Sequence, residues 1–113
     1  MHEYSVTKAL VDLCNQEAEK NHFKKVYKIN LKVGKFTGFS PECIQFYFDY
    51  LKVNTKCSEA KIIFDGIPMR IKCHTCKKDI NIDDPIFICP DCGGSNIELI
   101  SGREFYVEAI EGE

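Results

Sequence analysis

The sequence is short of the features that announce several common functions. Its formal charge is only −2, from 15 basic and 17 acidic side chains, so it carries no strong field for DNA or an anionic lipid surface. No apolar run approaches the roughly 18 residues that span a bilayer. The opening stretch, where Glu3 and Lys8 break up short apolar runs, does not read as a secretory leader. A cytoplasmic location, with no membrane and no nucleic acid attached, is expected. There is no G-x-x-x-x-G-K-[ST] phosphate loop, no nucleophile–base pair and no open metal cage, so the chain does not read as an enzyme. Repeats and low-complexity tracts are missing too. What remains, at 113 residues with 44% apolar and 28% charged, is one modest core with room for a small satellite.

Cysteine is abundant. Seven are present, an odd number, and four fall as two C-x-x-C pairs. Without a leader to an oxidising compartment, that pattern favours metal over disulfides. The other three, Cys14, Cys43 and Cys57, are expected to be small buried hydrophobes.

The stretch CHTCKKDINIDDPIFICPDCGG sets Cys73, Cys76, Cys89 and Cys92 as C-x2-C-x12-C-x2-C. Two residues between cysteines let one tight turn aim both sulfurs at a single ion, and two such turns close a tetrahedron. Gly93 and Gly94 allow the left-handed backbone these turns use. Ile80, Ile82, Ile86 and Ile88 suggest short extended arms joined around Asp83-Asp84-Pro85. Four thiolates suit Zn²⁺ first and iron second. A rubredoxin-like iron electron carrier and a nucleic-acid-binding zinc ribbon therefore both stay open on this motif alone. A closed sulfur shell leaves no position for substrate, which makes the site structural. His74, inside the first pair, is expected to be exposed and not a ligand.

Elsewhere the periodicity is clear. Residues 4–20 read as an amphipathic helix with Val6, Ala9, Leu10, Leu13 and Cys14 inward. VYKINLKVG alternates as a strand, with Tyr27, Ile29, Leu31 and Val33 on one face and lysines on a wet face. Ser40-Pro41-Glu42 starts a second helix to about residue 53, with Ile44, Tyr47, Phe48 and Leu51 inward. KIIFDGIPMRIK changes phase at Asp65-Gly66, where the chain is expected to leave the main core. NIELI and REFYVEAIE are two further strands, the last returning to the main sheet.

The first residues, MHEYS, pose a separate question. The Met1 amine, the His2 amide nitrogen and the His2 imidazole can form fused chelate rings in one plane, an arrangement suited to Ni²⁺ or Cu²⁺. A frayed end, or a polar residue ahead of a helix, is the plain alternative.

Taken together, the M-H-E start, Val33-Gly34, Pro41-Glu42, the paired C-x2-C motifs and Ser101-Gly102-Arg103-Glu104 resemble the hydrogenase nickel-insertion accessory proteins of the HypA/HybF type. The resemblance covers essentially the whole chain. It implies an α+β fold, a small three-stranded mixed sheet packed by two helices with an inserted zinc-ribbon-like domain. Residues 1–69 plus 101–113 would form the nickel-binding part and residues 70–100 the zinc-binding part. It also implies a metallochaperone that takes Ni²⁺ as transient cargo for [NiFe]-hydrogenase maturation. Its partners would be a nickel-handling GTPase and the hydrogenase large-subunit precursor, with the urease maturation proteins as a second set in some relatives. By position, His2 would be the primary nickel ligand with backbone of Met1 or Glu3, and Cys73, Cys76, Cys89 and Cys92 would hold structural Zn²⁺. Where some relatives offer a carboxylate before the second helix, this chain has Ser40, followed by Glu42.

Overall fold

The computed structural model describes residues 3–113. In chain order the elements are α1 (Glu3–Lys20), β1 (Val26–Gly34), a short 3-10 turn (Lys35–Thr37), α2 (Pro41–Leu51), β2 (Lys61–Ile67), β3 (Met69–Cys73), β4 (Lys78–Ile82), β5 (Ile97–Ser101) and β6 (Phe105–Gly112). They fall into two compact units. The helical unit comprises residues up to Lys32, Phe39–Asp65 and Tyr106–Glu113; the cysteine unit comprises Val33–Gly38 and Gly66–Phe105. The cysteine unit is thus wider than the 70–100 segment the sequence suggested. The departure point at 65/66 coincides with the phase change in KIIFDGIPMRIK.

In the helical unit, α1 and α2 pack on each other, and the sheet runs β2-β1-β6. Lys25 and Glu113 exchange backbone hydrogen bonds in both directions (3.3 and 3.0 Å), so β6 returns antiparallel to β1. Leu10, Val11, Cys14 and Ala18 from α1, Ile44 and Phe48 from α2, and Val26, Ile29, Leu31 and Ile62 from the strands are buried. The wet strand face carries an ion ladder: Lys28 meets Glu111, and Lys32 meets Asp65 and Glu108.

The buried stripe of α1 is not the expected one. It runs Glu3, Thr7, Leu10, Val11, Cys14 and Ala18, whereas Ala9 is exposed and Leu13 is 43% exposed. Two polar residues enter because both are satisfied. The Thr7 hydroxyl donates to the Glu3 carbonyl at 2.5 Å, and the Glu3 carboxylate accepts the Ser40 amide at 3.3 Å. Burial of a polar group costs little when its partners come along. In β1 the alternation also slips at its start, where Val26 is buried and Tyr27 turns out to bond Glu113.

Helix α2 begins as its sequence suggests. Ser40 caps it by accepting from the Cys43 amide, and Pro41 follows in the first turn. Tyr47 and Leu51 are only half-buried, leaving Ile44 and Phe48 as its inward face. Cys14 and Cys57 are buried as expected, but Cys43 is exposed, because it lies in the first turn away from that inward face.

In the cysteine unit, β3 is the central strand of an antiparallel β4-β3-β5 sheet. Cys73 is opposite Lys78 on one side and Ile97 on the other. Gly34 belongs to this unit, donating its amide to the Glu104 carbonyl at 2.6 Å, while Phe36 donates to Gly102 at 2.7 Å. A Cβ at residue 34 would fall 2.1 Å from the Gly102 carbonyl oxygen, so only glycine permits that approach. Phe36 lies edge-on to Phe87 at 5.5 Å and under the Arg103 guanidinium at 5.2 Å. Only the first expected extended arm forms, as β4; Ile86 and Ile88 lie outside any strand and are exposed.

Candidate metal centre

The end of β3 and the segment before β5 each build a tight turn around a cysteine pair. In the first, the Lys77 amide donates to the Cys73 carbonyl at 2.7 Å; in the second, the Gly93 amide donates to the Cys89 carbonyl at 2.8 Å. Each turn ends in a left-handed residue, Lys77 at φ 58° and Gly93 at φ 72°. Glycine supplies that conformation without strain, whereas lysine adopts it against its Cβ. Sequence reading found Gly93 and missed Lys77, although the equal offset from the first cysteine of each pair was the available signal. Further bonds fix the turns: the Cys76 amide points at the Cys73 sulfur (3.3 Å) and the Gly94 amide at the Cys92 sulfur (3.4 Å). The Asn96 carbonyl accepts the His74 amide at 3.0 Å.

The result is a single sulfur cluster. All four Sγ atoms lie within 4.8 Å of one another, with Cys73–Cys92 at 3.8 Å and Cys76–Cys89 at 3.9 Å. A Zn–S bond of about 2.3 Å in a tetrahedron requires sulfur–sulfur edges of about 3.8 Å. The cluster therefore has the size of a zinc shell and is far too open for disulfides, whose sulfurs sit about 2.0 Å apart. Its electrostatics fit a cation. The Cys76 amide holds the Cys73 thiol down to about 7, while hydrogen bonding to Cys92 pushes Cys76 up to about 12. Four crowded thiols cannot all ionise without a positive charge among them, and Zn²⁺ supplies it. Cys73 and Cys89 are buried, Cys76 is half-buried and Cys92 is exposed. His74 is exposed, as expected, and its Nε2 lies 3.2 Å from the Glu98 carboxylate. Cys14, Cys43 and Cys57 take no part in the cluster. Its hydrogen bond with Cys57, and then burial, push the Cys14 thiol up, so it is inert.

The second expected metal position falls at the chain's start. Met1 and His2 lie outside the described residues, and Glu3 is the first one inside them. Glu3 is buried, its side chain tied to the Ser40 amide at the start of α2. Ser40 Oγ in turn lies 3.2 Å from the Glu42 carboxylate.

Comparison with known proteins identifies a family and a fold. The family model described as "Hydrogenase/urease nickel incorporation, metallochaperone, hypA" matches residues 1–112. A hydrogenase maturation factor HypA of Caldanaerobacter subterraneus subsp. tengcongensis is 41% identical, covering 100% of each chain. That of Shewanella oneidensis is 33% identical over 100% of this chain and 96% of its own. In fold, the chain is similar to the solution structure of the Ni metallochaperone HypA from Helicobacter pylori, with TM-score 0.70 at 22% identity over 99% of this chain and 97% of that one. No described helix is long and apolar enough to cross a membrane. With two helices, small sheets and a zinc-sized tetrathiolate in one continuous match, the chain belongs to the HypA family of nickel-incorporating metallochaperones.

Proposed function

We propose that the chain works as a stoichiometric nickel carrier in the cytoplasm, taking Ni²⁺ at its first residues and passing it to the [NiFe]-hydrogenase large-subunit precursor. His2 is the primary ligand, with backbone nitrogen from its own amide and from Met1 or Glu3. Cys73, Cys76, Cys89 and Cys92 hold Zn²⁺ permanently and give the cysteine unit its shape. The nucleotide chemistry of the handover belongs to a GTPase partner, since the chain has no phosphate loop. Urease is a second client for the same cargo. One observation carries the reading: the family match begins at residue 1 and so includes the M-H-E start. That match also runs through both helices, which neither an electron carrier nor an isolated zinc ribbon accounts for.

The chemistry divides the two ions cleanly. A delivery site must let go, so a few nitrogen donors serve better than a cage; a closed sulfur shell does the opposite. The anchoring of Glu3 on Ser40 would give the chelate a fixed base. Nickel titration of untagged wild type against His2→Ala, with zinc measured on both, tests the division. Loss of nickel binding with zinc retained is expected. Equal nickel binding by the two proteins would refute the assignment.

A further inference from the structure

Strand β6 is an edge strand. The sheet runs β2-β1-β6, and among the described residues no strand pairs with the outer side of β6. An open edge presents backbone N–H and C=O groups to any chain that can pair with them. Apolar surface flanks this one. A groove of about 330 Å³ runs beside it, lined by Leu13, Cys14 and Glu17 of α1 and by the consecutive residues Val107 to Ile110. Neighbouring residues of a strand point to opposite faces, so a groove that touches all of them follows the edge of the strand and not one face. Leu13, placed inside by the periodicity of α1, is 43% exposed along this groove. Val6, on the same side of the helix two turns earlier, is half-buried.

The charges select the occupant. Residues 105–113, FYVEAIEGE, contain three acids and no cation. On the wet face, Lys32 of β1 bridges Asp65 of β2 and Glu108 of β6, and Lys28 meets Glu111 at 3.3 Å. Sign therefore alternates from strand to strand as acid, lysine, acid, and the next position outward calls for a cation. The lysines of α1 do not fill it: Lys20 is 3.6 Å from Glu17, and Lys8 is 2.8 Å from Asp12. A second copy added through its own β6 would set acids beside acids, with no cation on either strand. The strand that fits alternates apolar residues with Lys or Arg, as β1 does on the inner side of β6. From the open edge, the groove and this alternation, we infer that a partner protein adds an extended segment of that pattern to β6 as a fourth strand. Its apolar side chains lie against Leu13, and its cations lie beside Glu108 and Glu111.

The test uses the zinc-loaded full chain and a short labelled peptide in which Val and Lys alternate, followed by fluorescence anisotropy and by NMR. The peptide should bind, slow the solvent exchange of amides within residues 106–112 and shift the Leu13 methyl signals. A peptide of the same composition with its lysines in one block, and one alternating Val with Glu, should each bind about tenfold more weakly or worse. Backbone N-methylation separates strand pairing from adhesion. Methylating one alternate set of peptide residues should abolish binding and methylating the other should leave it, because only alternate N–H groups face a neighbouring strand. Leu13→Arg should weaken binding about tenfold, and Glu108→Gln/Glu111→Gln about fivefold, with zinc content and amide spectra unchanged. No binding by the alternating peptide, equal binding by the block peptide, or indifference to both methylated sets would overturn the inference. A dimer of the protein alone in sedimentation, with its β6 amides protected, would assign the edge to a second copy and overturn it as well.

Discussion

Removing the zinc should unfold one part of this protein and spare the rest. In the cysteine unit the buried apolar side chains other than cysteine are Val33, Met69 and Ile71. At about 1.5–3 kcal/mol each, their burial contributes roughly 5–9 kcal/mol. A structural zinc contributes about 10–16 kcal/mol in small zinc domains, so the ion outweighs the apolar core it accompanies. The helical unit is built differently, with Leu10, Val11, Ile29, Leu31, Ile44 and Phe48 buried together and, among the described residues, no cluster of metal ligands. The perturbation is chelation under reducing conditions, followed by hydrogen exchange read by mass spectrometry. Peptides from 69–73, 78–82 and 97–101 should lose protection by several orders of magnitude, and peptides from 10–18 and 44–48 should change little. Restoring Zn²⁺ should restore the pattern. Retained protection in the β4-β3-β5 sheet of verified metal-free protein would refute the reasoning, because the strands would then be holding themselves.

Four further outcomes are expected. Gly34→Ala must push its new Cβ away from a carbonyl oxygen 2.1 Å off; backbone cannot yield as a side chain can, and a loss of about 3 kcal/mol is expected in urea denaturation. Thr7→Val keeps the shape of a fully buried side chain but deletes its bond to the Glu3 carbonyl, a cost of about 1 kcal/mol by the same assay. Zinc uptake by metal-free protein should release protons at neutral pH, because Cys76, pushed up to about 12, still holds its own there. Calorimetry in buffers of different ionisation enthalpy reads this, and uptake should weaken as pH falls. Nickel binding should also weaken below about pH 6.5, since a protonated imidazole cannot ligate. Constant affinity down to about pH 5 would exclude His2 as the donor.

Much of the fold was legible because its signals are local. The Ser40 cap, the proline after it and the alternation from Ile29 to Val33 each act within a few residues, and the structure follows them. The cysteine quartet was legible for a similar reason, since its spacing is itself the geometry. What escaped depends on distant partners. Nothing near Glu3 announces that residue 40 will satisfy its carboxylate, so the burial of this acidic side chain has no local signal. The stripe that takes in Glu3 and Thr7 leaves Ala9 and Leu13 exposed. The β3–β5 pairing joins segments about thirty residues apart and leaves Ile86–Ile88 without the strand their composition suggested. Cys43 was placed inside by residue type alone; its position in the first turn of α2 put it outside.

That exposed thiol makes the protein convenient to watch. With zinc bound, the thiolates of the quartet are occupied, and Cys14 and Cys57 are sealed in the interior. Alkylation of the native holoprotein should therefore add a single label, at Cys43, with no engineered cysteine needed. A fluorophore attached there would ride on α2 beside Phe46 and report in real time whatever settles on that helix.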